Sequence, residues 1–464
     1  MVFASLTFLF LFFPASLIIY YLVPKKWRNI PLLAENLLFY AWGEPRFLLL
    51  ILFSTVVNFF FGKAIGKNAE SRRRKCLLAL AVVIDLGLLV FFKYTNFLVA
   101  SLRLLPGMGW MAQTEIALPL GISFYTFHVI SYLADIYRGD APAQKSILRF
   151  GVYITLFPQM IAGPIVRYKQ IQGQLEERTC TSAQFVSGIR LLLVGLAKKV
   201  LIANQMGVLW DAVKASGSTA GLLGSWAGAA AFSLQIYFDF SGYSDMARGL
   251  GELFGFELPI NFNYPYIASS VTDYWRRWHI SLSLWFRDYV YIPLGGSRHG
   301  MRVTIRNLLI VWVLTGFWHG ANWNFLLWGM YYFVLLAAEK LFLQPVLKKA
   351  PVWVGHLCAV LSFLFGWMLF ALTDFSTIGR QFQMMFGFGG LLPDGKLLYQ
   401  ILSYLPLMII GAVGSTPLVK RLYDRTEGSR AHCAVECVCC VAALLLSTAA
   451  LISQSYNPFL YFRF

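Results

Sequence analysis

NLLIVWVLTGFWHGANWNFLLWGMYYFVLLAA, running from Asn307 to Ala338, contains no charged residue and a single histidine, His319. A helix crosses the hydrocarbon core of a bilayer with about 20 apolar residues, so this run is roughly ten residues too long for one span. It is expected to break or tilt, with Gly316 and Gly320 bracketing the break. Irregular backbone at membrane depth survives only where it is buried in protein or lines a cavity. An imidazole at such a point is costly and therefore a candidate functional group. The plainer alternative is that Gly316-xxx-Gly320 packs two helices closely and His319 only bonds across them.

The rest of the chain agrees with a lipid environment. Of 464 residues, 58% are hydrophobic and 13% charged, against about 45–50% apolar and 25% charged in soluble chains. Disorder, collagen and a disulfide-stapled secreted domain are excluded. The net charge of +17 does not indicate nucleic acid, because the basic residues sit in short breaks between apolar runs, as in Pro24-Lys25-Lys26-Trp27-Arg28 and Arg72-Arg73-Arg74-Lys75. Such breaks are expected to be cytoplasmic loops that set orientation and meet anionic headgroups.

Val2 to Val23 is long enough to span and has its positive charge after the apolar run. It therefore reads as a retained helix with its N-terminus outside rather than a cleaved leader. Ile30 to Trp42 is short and holds Glu35, so it is expected to be re-entrant or to join a crossing with Phe47 to Ile65. Further spans are expected at Leu77–Phe92, Ile116–Ile136, Leu148–Val166, Phe185–Leu201, Gly221–Phe240, Val352–Leu372, Leu397–Val413 and Ala434–Ile452. The expected architecture is an all-α polytopic membrane protein, one integral-membrane domain over residues 1–464 with about ten or eleven crossings.

Residues 241–306 differ in being dense in aromatic, basic and turn residues. Trp and Tyr favour the headgroup level and Arg the water side, so Val271 to Val290 is expected to be a helix lying at the cytoplasmic membrane face. His279 lies on it, within Tyr274-Trp275-Arg276-Arg277-Trp278-His279. Asp239, Ser241 and Asp245 are expected to satisfy one another or cap a segment.

His432, Cys433, Cys437 and Cys440 fall at helical spacing and raise the question of a metal or redox site. The cluster runs into the uncharged Val441–Leu451 stretch, where a free Cys packs as a small apolar residue, and no metal is expected. The sequence has no Walker loop, HExxH, GxSxG or convincing dinucleotide fingerprint, so no bound cofactor is expected.

The stretch from Tyr274 to Ser283, Trp285-Phe286-Arg287-Asp288-Tyr289-Val290-Tyr291-Ile292-Pro293-Leu294-Gly295-Gly296, and Gly316-Phe317-Trp318-His319-Gly320 resemble the membrane-bound O-acyltransferase (MBOAT) family, in particular its bacterial alginate O-acetyltransferase branch. Tyr40-Ala41-Trp42-Gly43, the motif from Gln235 to Asp245, and the tail from Asn457 to Phe464 extend the likeness along the whole chain. The resemblance implies helices ringed around a central tunnel, in the bacterial cytoplasmic membrane. It implies transfer of an acyl group, acetyl by first choice, from a cytoplasmic thioester (acetyl-coenzyme A or an acyl carrier protein) to hydroxyls of a cell-envelope polysaccharide. It places the catalytic histidine at His319 and a second site histidine at His279, and brings in a separate extracytoplasmic hydrolase-like acyltransferase as partner.

Hydroxyl attack on a thioester needs a base, and a buried neutral imidazole suits that role. Trp275, Arg276, Arg277, Trp278 and Arg287 form an aromatic and basic surface suited to an anionic donor. Asn322 or backbone N–H groups near Gly316 and Gly320 are candidate oxyanion donors. The aromatic hexapeptide 459–464 is expected on the outer side, since Lys420, Arg421, Arg425 and Arg430 mark the preceding loop as cytoplasmic. It resembles a terminal motif that carries acyl groups on a tyrosine, here Tyr461; its plainer reading is an interfacial anchor. The competing classes are a transporter or flippase for an envelope precursor, which shares broken helices and midplane polar residues, and a structural scaffold. Within the family, peptidoglycan O-acetylation and teichoic-acid D-alanylation are the alternatives.

Overall fold

The computed structural model describes residues 1–68, 70–426, 428–453 and 459–460, and among them every regular element is helical. Among the described residues, seven helices are long and apolar enough to cross a membrane: Pro45–Lys67, Ser71–Arg103, Gly300–His319, Trp323–Lys349, Val352–Ala371, Gly395–Gly414 and Arg430–Ser453. Phe8–Leu22 is a shorter apolar helix. The chain divides into two compact units, Met1–Leu192 with Met246–Pro259, and Leu193–Asp245 with Ile260–Phe464. The helix Gly221–Leu253 therefore contributes residues to both.

In the first unit, helix Ile122–Arg138 starts after Gly121 and stops at Gly139, both left-handed (φ 73° and 81°), a backbone shape that glycine adopts without steric cost. The expected span at Leu148–Val166 does not form as one helix. It splits into Ile147–Thr155 and Phe157–Met160, followed by extended chain. Pro158 cannot donate a helical hydrogen bond, and the break is repaired from the side. Asn36 Oδ1 accepts from Phe157 N at 3.0 Å, Tyr153 Oη donates to Val166 O at 3.0 Å, and Val166 N donates to His128 Nε2 at 3.3 Å. Internal partners of this kind are what backbone away from water requires.

The second unit is organised by the hairpin of Gly300–His319 and Trp323–Ala338. The expected break in the long uncharged run is present, but at Gly320 to Asn322 and not between Gly316 and Gly320, where the helix continues through His319. Small residues set the distance between the two helices: a Cβ on Gly316 would meet Phe325 O at 2.5 Å, and one on Gly329 would meet Trp312 O at 2.5 Å. Close backbone approach of this type supplies the dispersion contacts that hold helices together in lipid.

Candidate active site

The expected single helix over Val271–Val290 is instead two short helices, Val271–Arg277 and Ile280–Phe286, followed by a wider turn at Arg287–Tyr291. The first is pinned at its start. Ser270 Oγ accepts from Asp273 N at 3.0 Å, and the buried Glu339 carboxylate accepts from Val271 N at 3.1 Å, from Thr272 N at 2.8 Å, and from Thr272 Oγ1. These bonds satisfy the N–H groups that a helix start leaves open, and a carboxylate there complements the helix dipole.

The helix stops because the loop around Asn261 takes over its hydrogen bonding. Arg277 O accepts from Asn263 N at 2.9 Å and Ile280 N donates to Asn261 O at 3.0 Å. Trp278 is extended and His279 left-handed, with φ 44°, an uncommon conformation for a residue with a Cβ. Asn261 Oδ1 accepts from Ser281 N at 3.1 Å and from Ser281 Oγ at 2.9 Å, and lies 3.1 Å from His279 Nδ1. The Ser281 amide can only donate, so the atom it meets is the Asn261 oxygen, and His279 Nδ1 must then carry the proton. The Nε2 atom of His279 is left with a lone pair, buried and with no hydrogen-bond partner among the described residues. Burial pushes the His279 pKa down to about 3, so the ring is neutral at physiological pH.

His319 is the last residue of its helix and is 5% exposed. Its ring meets the edges and faces of Trp318, Trp328 and Phe370 at centroid distances of 4.9, 5.0 and 5.4 Å. Trp318 also lies 5.9 Å from the His279 ring, so one indole touches both imidazoles. Both histidines line a single cavity of about 460 Å³.

Other residues singled out from the sequence divide clearly. Trp275, Arg276, Trp278 and Arg287 line the same cavity. Arg277 is not among the lining residues; its side chain pairs with Asp273 at 2.9 Å and donates to Asn263 O. Asn322 is also outside the lining and precedes helix Trp323–Ala338 without capping it through its side chain. Tyr461 lies outside the described residues, but Phe459 and Leu460 are buried. Leu460 N donates to Asp239 Oδ2 at 2.7 Å, and Phe459 packs on Phe240 and Tyr243 at 5.6 and 4.8 Å. Phe240 in turn meets the His279 ring at 4.7 Å.

Asp239 and Asp245 do not serve one another as expected. They pair with Lys199 at 2.5 Å and Lys198 at 2.6 Å, because the wide turn Lys198–Ala203 packs where Gly242 admits the neighbouring backbone at Gly195. The Cys433, Cys437 and Cys439 side chains are exposed, and His432 contacts Thr426 Oγ1 at 2.9 Å and Glu436 at 3.7 Å.

Sequence reading missed three contributors. Lys340 lines the cavity, and its only sequence signal is that it follows the long uncharged run. Asn261 sits in an aromatic loop with nothing to mark it as the support of His279. Asn324, fully buried, donates to Leu369 O at 3.2 Å and Phe370 O at 3.1 Å, which holds one aromatic wall of His319. Among the described residues, the lining thus combines two buried imidazoles, an indole-rich wall and three cations, Arg276, Arg287 and Lys340, with no carboxylate.

A cavity of this kind can hold an anionic, partly apolar molecule and take a proton from it. The family model for MBOAT, the membrane-bound O-acyltransferase family, matches residues 139–377. The Azotobacter vinelandii protein named "Probable alginate O-acetylase AlgI" is 39% identical, covering 100% of both chains. The protein of the same name from Pseudomonas aeruginosa is 44% identical over 84% of this chain and 75% of its own. A Helicobacter pylori "Peptidoglycan O-acetyltransferase" is 31% identical over 82% of this chain and 79% of its own. The chain belongs to the membrane-bound O-acyltransferase family and is a multi-pass membrane acyltransferase.

Proposed function

We propose that the chain moves an acyl group, acetyl by first choice, from a cytoplasmic thioester to hydroxyls of an exported cell-envelope polysaccharide. The observation that carries this reading is the pairing of His279 and His319 on one cavity with the cations Arg276, Arg287 and Lys340. The donor is acetyl-coenzyme A or an acyl carrier protein, whose phosphates suit Arg276, Arg287 and Lys340.

In the reaction the attacking hydroxyl oxygen bonds to the thioester carbonyl carbon and the carbon–sulfur bond breaks. His319 takes the hydroxyl proton and returns it to the leaving thiolate. With Nδ1 protonated, His279 offers only an acceptor at Nε2, so it cannot stabilise the oxyanion; it orients a donor group of the bound substrate, while the one proton of the attacking hydroxyl goes to His319. Trp275 Nε1–H, a buried donor without a hydrogen-bond partner among the described residues, is the candidate oxyanion donor.

The first acceptor is the Tyr461 hydroxyl, which relays the acyl group to an extracytoplasmic hydrolase-like acyltransferase. Support comes from the seating of Phe459 and Leu460 on Asp239, Phe240 and Tyr243, with Phe240 against His279. The orientation that fits has both the N-terminus and the tail outside the cytoplasmic membrane of a bacterium. Peptidoglycan is the second acceptor reading, favoured by the 31% identity to the Helicobacter pylori enzyme.

Mass spectrometry of envelope polymers from cells carrying His319→Ala tests the reading. The expected result is loss of polymer O-acetylation with normal amounts of the protein in the membrane; unchanged acetylation overturns it. Acyl transfer retained by Tyr461→Phe, assayed with the partner present, removes the relay and leaves the His319 chemistry standing.

A further inference from the structure

The first unit contains a cavity of about 440 Å³ that the acyl-transfer chemistry does not use. It lies between the last turn of helix Leu48–Lys67, the start of Ser71–Arg103, and the loop after Ile122–Arg138. Among the described residues, four cations line it, Lys63, Lys67, Arg74 and Lys145, and no carboxylate does. Nearby acids are engaged elsewhere: Glu70 with Arg73 at 2.9 Å and Asp140 with Lys169 at 3.3 Å.

Two helix C-termini, at Lys67 and Arg138, also approach the cavity. Each contributes a partial charge of roughly −0.5. Against four full positive charges, and with about +0.5 from the N-terminus of Ser71–Arg103, they leave a local excess of about +3.5. Scattered surface lysines would give a similar number, but this site is built. Arg74 is fixed by donating from one terminal nitrogen to Ile136 O at 3.0 Å and Tyr137 O at 2.7 Å. Its Nε–H is buried and has no hydrogen-bond partner among the described residues.

Gln144, which also lines the cavity, is held by hydrogen bonds as well. Gln144 N donates to Tyr132 Oη at 3.2 Å, Gln144 Nε2 donates to Tyr168 Oη at 3.1 Å, and Gln144 Oε1 accepts from Ser146 N at 3.1 Å. A buried, oriented guanidinium donor left open beside three lysines asks for an acceptor with several oxygens. The volume corresponds to about fifteen waters at ~30 Å³ each, more than one phosphate ion fills. Basic pockets between membrane helices hold lipid headgroups in this way.

We propose that this cavity binds the phosphate-bearing headgroup of an anionic phospholipid. The lipid ties the ends of the Leu48–Lys67 and Ile122–Arg138 helices together at the membrane surface. The assignment is independent of which acyl acceptor the enzyme uses.

The test uses the full-length protein in nanodiscs of phosphatidylcholine, with and without phosphatidylglycerol, read by native mass spectrometry and thermal unfolding. Wild type is expected to retain phosphatidylglycerol and to melt higher when it is present. At about 1 kcal/mol per basic residue near the surface, the combined Lys63→Gln, Lys67→Gln and Lys145→Gln changes are expected to weaken retention on the order of 100-fold. Arg74→Lys, which keeps the charge and loses the fork, separates headgroup recognition from bulk charge and is expected to weaken retention about tenfold or more. Inorganic phosphate added to neutral nanodiscs is the second arm. Equal retention by wild type and the triple variant overturns the proposal, as does full stabilisation by inorganic phosphate alone.

Discussion

Asn261→Ala is the sharpest test of the site, because this side chain touches no part of the reaction and yet determines the chemical form of His279. In the wild type its oxygen meets Ser281 N, Ser281 Oγ and His279 Nδ1 at 3.1, 2.9 and 3.1 Å, all buried. Removing it leaves three donors to be satisfied by whatever water can enter, at about 1 kcal/mol or more for each that fails. The imidazole also loses the bond that selects the Nδ1–H tautomer, worth about 1–1.5 kcal/mol, or roughly tenfold in the fraction correctly protonated. Loosened ring orientation adds up to about 10²-fold. We expect kcat to fall 10²- to 10³-fold with the donor KM little changed, measured as thioester consumption by purified enzyme in nanodiscs. Asn261→Asp keeps the acceptors but adds a negative charge beside the ring, so it should raise the His279 pKa and introduce a new acid limb in the pH–rate profile. An Asn261→Ala enzyme with more than half of wild-type kcat, or an Asn261→Asp profile identical to wild type, refutes the reasoning.

Three further outcomes follow from the same geometry. Changing Arg276, Arg287 and Lys340 together to Gln is expected to raise the donor KM about tenfold or more at low salt, with a smaller difference at high salt because exposed charges are screened. Gly316→Leu places side-chain atoms against Phe325 O, where a Cβ alone comes to 2.5 Å; overpacking of this kind costs at least 1–3 kcal/mol, and fluorescence-detected size exclusion should show loss of monodisperse protein. His279 has a folded-state pKa of about 3, below the ordinary value near 6.5. The unfolded chain therefore binds its proton first, and stability present above pH 6.5 falls by up to ~1.4 kcal/mol per unit as pH drops toward 3. A His279→Gln variant should show a shallower decline in unfolding temperature over that window, and an unchanged slope contradicts the burial argument.

Hydropathy and charge spacing were enough to place this chain in a bilayer, to mark the uncharged Asn307–Ala338 run as overlong, and to expect a break in it, which the structure puts at the C-terminal edge of the expected Gly316–Gly320 bracket. Those properties are local: a run of apolar side chains partitions into lipid wherever the rest of the protein lies, and glycines permit a break wherever they fall. The aromatic-basic motif likewise announced Trp275, Arg276, Trp278 and Arg287, all of which face one cavity.

The tertiary structure decided what depends on a distant partner. Aromatic and basic composition favoured one interfacial helix through Val271–Val290, but Asn261, 18 residues before His279, takes the hydrogen bonds at the break and turns His279 left-handed. Arg277 is held away from the cavity by a local partner, Asp273 one helical turn earlier, whereas Lys340, far along the chain, was brought into it. The Lys198 and Lys199 pairs with Asp245 and Asp239 arose the same way, through packing at Gly242. Sequence alone determined that the chain is built of apolar helices for a membrane and that a histidine sits beside a break in one uncharged run. Which tautomer its neighbour His279 holds, and which charges share their cavity, follows from contacts between segments, because a hydrogen bond is specified by where two groups meet and not by their spacing in the chain.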